Sequence, residues 1–346
     1  MRNYNFLIAY RKRSEEPYRT VFAPLDHAEK GIRFIGFFPS ARFFYGCIRH
    51  LQGKVAVKYL PKSLQSILFK IDVSRLSKKL RSIETTEKGL CLITNQSLLL
   101  FDRDGKRIKA LKERFPGLKI VYFFTDLVEM DPIRKNMMAH PEKVDANLII
   151  SYDRKDAYRY HMLHHPLPYA LMEGISAEQD DLYDVCFIGK AKDRNEKINE
   201  AYDFFTGKGM SCCFYVITEG KTLKETRKGI RYLKHLVSYR KFLELESRSR
   251  CILEIIQENS TGYTSRVPEA VFLGKTLISD NTDLRKDQIY DSGKVFVYND
   301  LSDLDTDIIK KSEKIAYEQS YKDIFSHDSF LSFIEENLNL QDQQDI

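Results

Sequence analysis

Short apolar runs alternate with amphipathic stretches along most of the chain. In the first half, Tyr4 to Tyr10, Ile32 to Phe37, Leu90 to Thr94 and Lys119 to Phe124, with a shorter run at Ala146 to Ile150, have strand length. Between them the spacing predicts helices around Ser63 to Ser82 and Arg107 to Phe115. The second half repeats the alternation. Tyr183 to Ile188, Cys212 to Ile217, Cys251 to Ile256, Lys275 to Ser279 and Val295 to Tyr298 read as strands. A charged helix is expected over Arg240 to Arg250, and terminal helices over Ile308 to Ile315 and Ser329 to Asn337. Strands alternating with helices imply crossover connections and mainly parallel sheets. From Pro166 to Asp181 the pattern turns polar and acidic, which marks a linker. The chain is therefore expected to be α/β, with domains at 1–168 and 169–315 followed by C-terminal helices over 316–346.

One stretch joins these elements to chemistry: Cys251 to Asn281, CILEIIQENSTGYTSRVPEAVFLGKTLISDN. Its apolar run stops at Asn259, Ser260, Thr261 and Gly262, and Gly262 is expected to supply a left-handed turn. Thr264 or Ser265 can then cap a helix whose first turn holds Pro268, where a missing N–H costs nothing, and Glu269, where a carboxylate suits the dipole. The helix ends near Gly274. Strand, loop, helix N-terminus and strand form the unit with which parallel α/β folds hold phosphate. Arg266 precedes the helix and can fork onto phosphate oxygens, whereas Lys275 lies past its C-terminus and reads as a partner of the dipole there.

Other strand ends carry candidates too. YDVCFI runs into GKAKDRNEKI, where Gly189 lets backbone approach a ligand and Lys190, Lys192 and Arg194 can answer a diphosphate; a plain strand-to-helix turn is the alternative. In the first half, Asp126 follows the run VYFF and is a candidate general base, or else the cap of the next helix. GFFPS (Gly36 to Ser40) and Thr94 to Gln96 occupy corresponding strand ends. His161, His164 and His165 have metal-compatible spacing, but no Cys or carboxylate completes a set nearby, and Asp303 and Asp305 sit beside a helix; no metal site is expected.

The segment RVPEAVFLGKTLISDN, Arg266 to Asn281, resembles the nucleotide-sugar signature in the C-terminal domain of GT-B glycosyltransferases: a glycine-containing loop, PEA, a short helix, G-K-P and a short strand. The resemblance is best to bacterial enzymes of capsule, lipopolysaccharide or other surface polysaccharide synthesis. Asn147 to Tyr169, NLIISYDRKDAYRYHMLHHPLPY, is similar to the last unit of the N-terminal domain in that group, with Asp153 placed to cap a helix that carries Asp156, Ala157 and Tyr160. The resemblance implies two facing Rossmann-like domains with a donor cleft between them, and C-terminal helices that pack back toward the first domain. It also implies a nucleotide-diphospho-sugar as donor substrate, with no cofactor and no bound metal. Gly189, Lys190, Arg194 and Arg266, with the N–H groups of Thr264 and Ser265, would then hold the diphosphate, Glu269 the ribose, and Val237, Ser238 and Tyr239 the nucleobase. One departure stands out: many such enzymes carry an acid eight positions before the PEA glutamate, where this chain has Thr261, so Glu254, Gln257 or Glu258 would have to substitute.

Composition narrows the setting. The 346 residues suffice for two domains, each with its own core. No run approaches ~18 consecutive apolar residues and MRNYNFLIAYRKRSEE lacks a signal peptide's apolar region, so a cytoplasmic chain is expected. Cys47, Cys91, Cys186, Cys212, Cys213 and Cys251 show neither disulfide nor metal-ligand spacing and read as buried thiols. The net charge of +6 decides little, but its distribution is uneven. Between Arg42 and Arg81 ten Lys and Arg residues face a single acid, Asp72, and apolar residues are interleaved throughout. Such a segment fits a peripheral position on an anionic membrane surface, or a basic amphipathic helix packed on its own domain; no nucleic-acid-binding motif accompanies it, and no nucleic-acid partner is expected. The expected function is transfer of a sugar from a nucleotide donor to a glycan or lipid-linked acceptor. The alternatives are a non-catalytic GT-B-like subunit that binds a partner transferase or glycan, and another nucleotide-sugar enzyme on the same fold, such as an epimerase or a glycerophosphotransferase.

Overall fold

A computed structural model of the protein describes residues 2–11, 22, 26, 30–37, 62–94, 105–130, 132–140, 144–235, 237–258, 260–311 and 316–344. Residues 38–40 of GFFPS, 95 and 96 after Thr94, 42–61 of the basic segment with Cys47, and 312–315 lie outside them. The chain divides into two units, Met1–His165 with His327–Ile346, and Pro166–Ser326.

The first stretch of unit 1 runs β1 (Tyr4–Arg11), β2 (Ile32–Phe37), α1 (Lys62–Arg81), β3 (Gly89–Thr94), α2 (Lys106–Arg114), β4 (Lys119–Phe124), α3 (Pro132–Met138), β5 (Leu148–Ser151), α4 (Arg154–Arg159) and β6 (Leu163–His164). Its strands pair in the order β2-β1-β3-β4-β5-β6, every pair parallel. Continuous apolar runs such as KIVYFF become strands buried on both faces, because crossover helices cover a parallel sheet from both sides. Onto it α1 turns Val73, Leu76 and Leu80, and α2 turns Ile108 and Leu111. Asp153 caps α4, accepting from the Asp156 N–H at 3.0 Å, and Asp156 accepts from the Val128 N–H at 2.6 Å. Both carboxylates thus brace the turn after β5.

Unit 2 contains β7 (Tyr183–Lys190), α5 (Asn195–Gly207), β8 (Cys212–Ile217), β9 (Arg231–Leu233), α6 (Tyr239–Ser247), β10 (Ser249–Glu254), α7 (Arg266–Leu273), β11 (Thr276–Ser279), β12 (Val295–Val297), α8 (Thr306–Lys311) and α9 (Gln319–Asp323). The order is β12-β11-β10-β7-β8-β9, again all parallel. Counted from β7, this is the doubly wound order whose direction reverses between β7 and β10, and ligands of such sheets bind beyond the carboxyl ends of the strands at that reversal. Several details differ from expectation. β7 continues through Gly189 and Lys190, because Val216 and Ile217 of β8 pair with them. The charged helix α6 stops at Ser247, where the Ser249 hydroxyl donates back to the Leu245 carbonyl at 2.9 Å and starts β10 early. β9, three residues long, has too little apolar pattern to be read from sequence.

The last helix, α10 (His327–Gln344), belongs to unit 1. Phe330, Leu331, Ile334 and Leu338 are fully buried, with the Phe330 ring 4.9 Å from that of Phe123. Glu335 accepts from the N–H groups of Asn3 and Tyr4 at 2.7 and 3.1 Å. His165 packs against the rings of Phe330 and Phe333 at 5.1 and 5.0 Å, so it serves the aromatic core beside α10.

Candidate functional site

At the reversal in unit 2 the carboxyl ends of β7 and β10 lie side by side, and one side chain spans them. The Arg194 guanidinium donates to the carbonyl of Lys190 at 2.7 Å and to that of Ile255, and it lies over the Phe187 ring at 5.9 Å. A Cβ at Gly189 would press on the Phe187 ring at 3.1 Å and meet Arg194 Nη2 only in ordinary contact at 3.5 Å. Lys190 reaches outward and pairs with Glu219 at 2.6 Å, which pulls the Glu219 pKa down.

The loop that follows β10 is tied from beneath. Glu254, 1% exposed, accepts from the Ser279 hydroxyl on β11 and from both the hydroxyl and the backbone N–H of Thr264. Burial pushes its pKa up and these donors pull against it. The Thr264 N–H is thereby spent within the loop. Thr264 Oγ1 also accepts from the Arg266 N–H at 3.2 Å, and Ser265 stands at the α7 N-cap without a side-chain cap bond. Gly262 is buried, and it is not among the described glycines with positive φ, a correction to the expected left-handed turn; the left-handed residue is Gly274, which closes α7 at φ 65°.

Three of the sequence candidates meet in one buried cluster. Arg266 Nη1 pairs with Glu269, 0% exposed, and with Glu246 Oε1 at 2.8 Å, while the guanidinium lies 4.0 Å over the Phe242 ring. Tyr239 donates to Glu269 Oε1 at 2.8 Å, and its hydroxyl lies 3.4 Å from that of Tyr169. Glu269 is thus closed off from solvent, and a ligand reaches it only if Tyr239 or Arg266 moves. Tyr239 is an interior residue and offers no flat face to a base; Ser238 caps α6 through the Lys241 N–H at 3.2 Å. Lys275, expected as a partner of the α7 dipole, has a fully buried ammonium that pairs with Asp181 at 2.8 Å, fastening β11 to the acidic stretch before β7. Glu246 and Phe242 were missed in the sequence, where the only signal is their i, i+4 spacing on one face of α6.

In unit 1 Asp126 is exposed just past β4, and its carboxylate lies 3.6 Å from Nη1 of buried Arg134, too long for a direct hydrogen bond. Among the described residues no group of three His, Cys, Asp or Glu side chains gathers as a metal site.

No protein-family model matches the chain, and no curated protein matches it. Solved structures do. Trehalose-6-phosphate synthase OtsA aligns over 99% of both chains at 9% identity with a TM-score of 0.53. An α-glucosyltransferase in complex with UDP and a 13-mer DNA containing an HMU base covers 96% of this chain and 98% of its own at 13% identity, TM-score 0.52. The N-terminal domain of Candida albicans trehalose-6-phosphate phosphatase gives 98% and 97% coverage, 9% identity and 0.50. The chain has the GT-B fold. Both Rossmann-like domains of that fold are present, each with six parallel strands. At these identities the likeness speaks for the GT-B architecture alone.

Proposed function

We propose that the protein is a glycosyltransferase that binds a nucleotide-diphospho-sugar in unit 2 and moves its sugar to a lipid-linked glycan, in bacterial surface polysaccharide synthesis at the cytoplasmic face of a membrane. The observation that carries this reading is where the PEA segment lies: α7 begins beyond the end of β10, at the reversal of strand order where doubly wound sheets take nucleotides. The α-glucosyltransferase above was solved with UDP, and a nucleoside diphosphate is the ligand this reading gives unit 2. Charge developing on the departing diphosphate is met by Lys190, Arg194, Arg266 and the helix start at Ser265, without a metal, while the Thr264 N–H stays with Glu254. The half-exposed Lys190–Glu219 pair is worth about 0–1 kcal/mol, so a phosphate can replace Glu219. Glu269 receives the ribose once the Tyr239 hydroxyl gives way, and Asp126 is the candidate base on the acceptor side. A non-catalytic GT-B-like subunit is the second reading, favoured by Thr261 in place of an acid and by the closure of Glu269 against Arg266 and Tyr239.

The test is a thermal-shift panel of uridine, guanosine, cytidine and thymidine diphosphates and their sugars. A ligand at about 100 times its dissociation constant adds about 2.7 kcal/mol. One nucleoside diphosphate should raise the unfolding temperature, and Glu269→Gln should lose that shift while unfolding cooperatively. No shift with any of them removes the donor reading. Binding without release of nucleoside diphosphate when glycan acceptors are added selects the non-catalytic subunit.

A further inference from the structure

The long helix of unit 1 presents a face that sugar transfer leaves unused. α1 turns Leu68, Val73, Leu76 and Leu80 inward, and its single acid, Asp72, is 0% exposed and 3.3 Å from Arg107. On the opposite side Ile67, Lys70, Ile71, Ser74, Arg75 and Lys78 recur every three or four residues and make one stripe, flanked by exposed Lys79 and Arg81. Ile67 is 54% exposed and Ile71 42%, one turn apart among cations. An open groove of about 340 Å³ is lined by Ile67, Lys70, Ile71, Ser74 and Arg75. Whatever meets this face must be negative, must extend along a helix about 30 Å long, and must accept branched apolar side chains at shallow depth. The surface of an anionic bilayer meets all three demands, since lipid phosphates answer the cations and the headgroup boundary takes the isoleucines. Duplex nucleic acid satisfies the first two but offers no apolar layer. A second copy of the same face is repelled by like charge.

We propose that α1 docks unit 1 flat on an anionic membrane, with Ile67 and Ile71 entering the headgroup boundary and Lys70, Lys78, Lys79 and Arg81 lying against lipid phosphates. The proposal goes beyond the transferase reading by naming the contact surface, and it does not depend on donor binding by unit 2, so the two can fail separately. Vesicle flotation of the full chain tests it, with phosphatidylcholine vesicles compared with vesicles that also contain phosphatidylglycerol. Binding to the anionic vesicles alone is expected, weakened by added sodium chloride. The pair K70E and K78E should lower it about tenfold or more, and I67S with I71S should lower it at unchanged charge. All four substitutions fall on exposed positions, and unchanged unfolding temperatures show that the fold survives them. Equal binding to both vesicle types, or binding indifferent to both double variants, overturns the proposal. So does sensitivity to K70E and K78E alone when a DNA duplex displaces the vesicles, which assigns the face to nucleic acid.

Discussion

Glu246 and Glu269 share one nitrogen of Arg266, but only Glu269 has a second donor, Tyr239, and Glu246 Oε2 is buried with no hydrogen bond. Burial pushes the Glu246 carboxyl up to about 7 from an ordinary 4.5, with Arg266 pulling the other way. The sign follows from proton counting. Between those values the folded chain keeps a proton that the unfolded chain has released, so stability falls as pH rises from about 4.5 to about 7 and levels off above. Glu246→Gln is neutral throughout. Urea unfolding at pH 5 and pH 8 should show wild type losing more stability across the interval than the variant does, by an amount on the order of 1 kcal/mol. Identical losses would mean that Glu246 keeps one charge state. The same cluster marks what the sequence left hidden. Arg266 and Glu269 were legible as polar residues at a phosphate-binding turn and Tyr239 only as a nucleobase contact implied by the resemblance, so the reading pointed all three at a ligand. Their mutual engagement depends on α6 folding Phe242 and Glu246 against α7, a tertiary fact with no local signature.

At the scale of elements, one buried carboxylate ties the β10–loop–α7 unit to the neighbouring strand, while Asp280 and Asp193 accept from the loop's Ile256 and Glu258 N–H groups. Glu254 joins the loop, through Thr264, to the next strand, through Ser279. Thr264→Val keeps the shape and removes one hydroxyl donor from a fully buried carboxyl. It should cost about 1–3 kcal/mol, the usual toll of an under-satisfied buried group, and hydrogen exchange should quicken in the loop before α7 while β7 and β8 stay protected. Unchanged exchange there would show that the loop is fixed by other contacts. The elements themselves were readable because strands of a covered parallel sheet are continuous apolar runs, and because Pro268 and Gly274 bracket α7 with residues suited to a helix start and a left-handed close. β9 and the extension of β7 were not, since pairing with β8 decides them and composition does not.

For the whole molecule, the order of the chain and the membership of its units part company at Ser326, where the chain leaves unit 2 and α10 joins unit 1. α10 contributes four fully buried apolar side chains, Phe330, Leu331, Ile334 and Leu338, and Glu335 holds the start of β1 through the N–H groups of Asn3 and Tyr4. At about 1.5–3 kcal/mol for each side chain, an upper bound of about 6–12 kcal/mol is comparable with the stability of an entire domain. Unit 2 draws its core from its own stretch, with Val185, Phe187, Phe214, Leu253 and Ile278 among its buried members. A chain ended at Ser326 should therefore lose unit 1 and keep unit 2. Limited proteolysis is expected to degrade residues 1–165 and leave a fragment of 166–326, and any thermal shift with a nucleoside diphosphate should persist in that fragment. Full protection of both halves would show that unit 1 folds without its last helix. Loss of both would show that unit 2 depends on unit 1 in a way its own core does not explain.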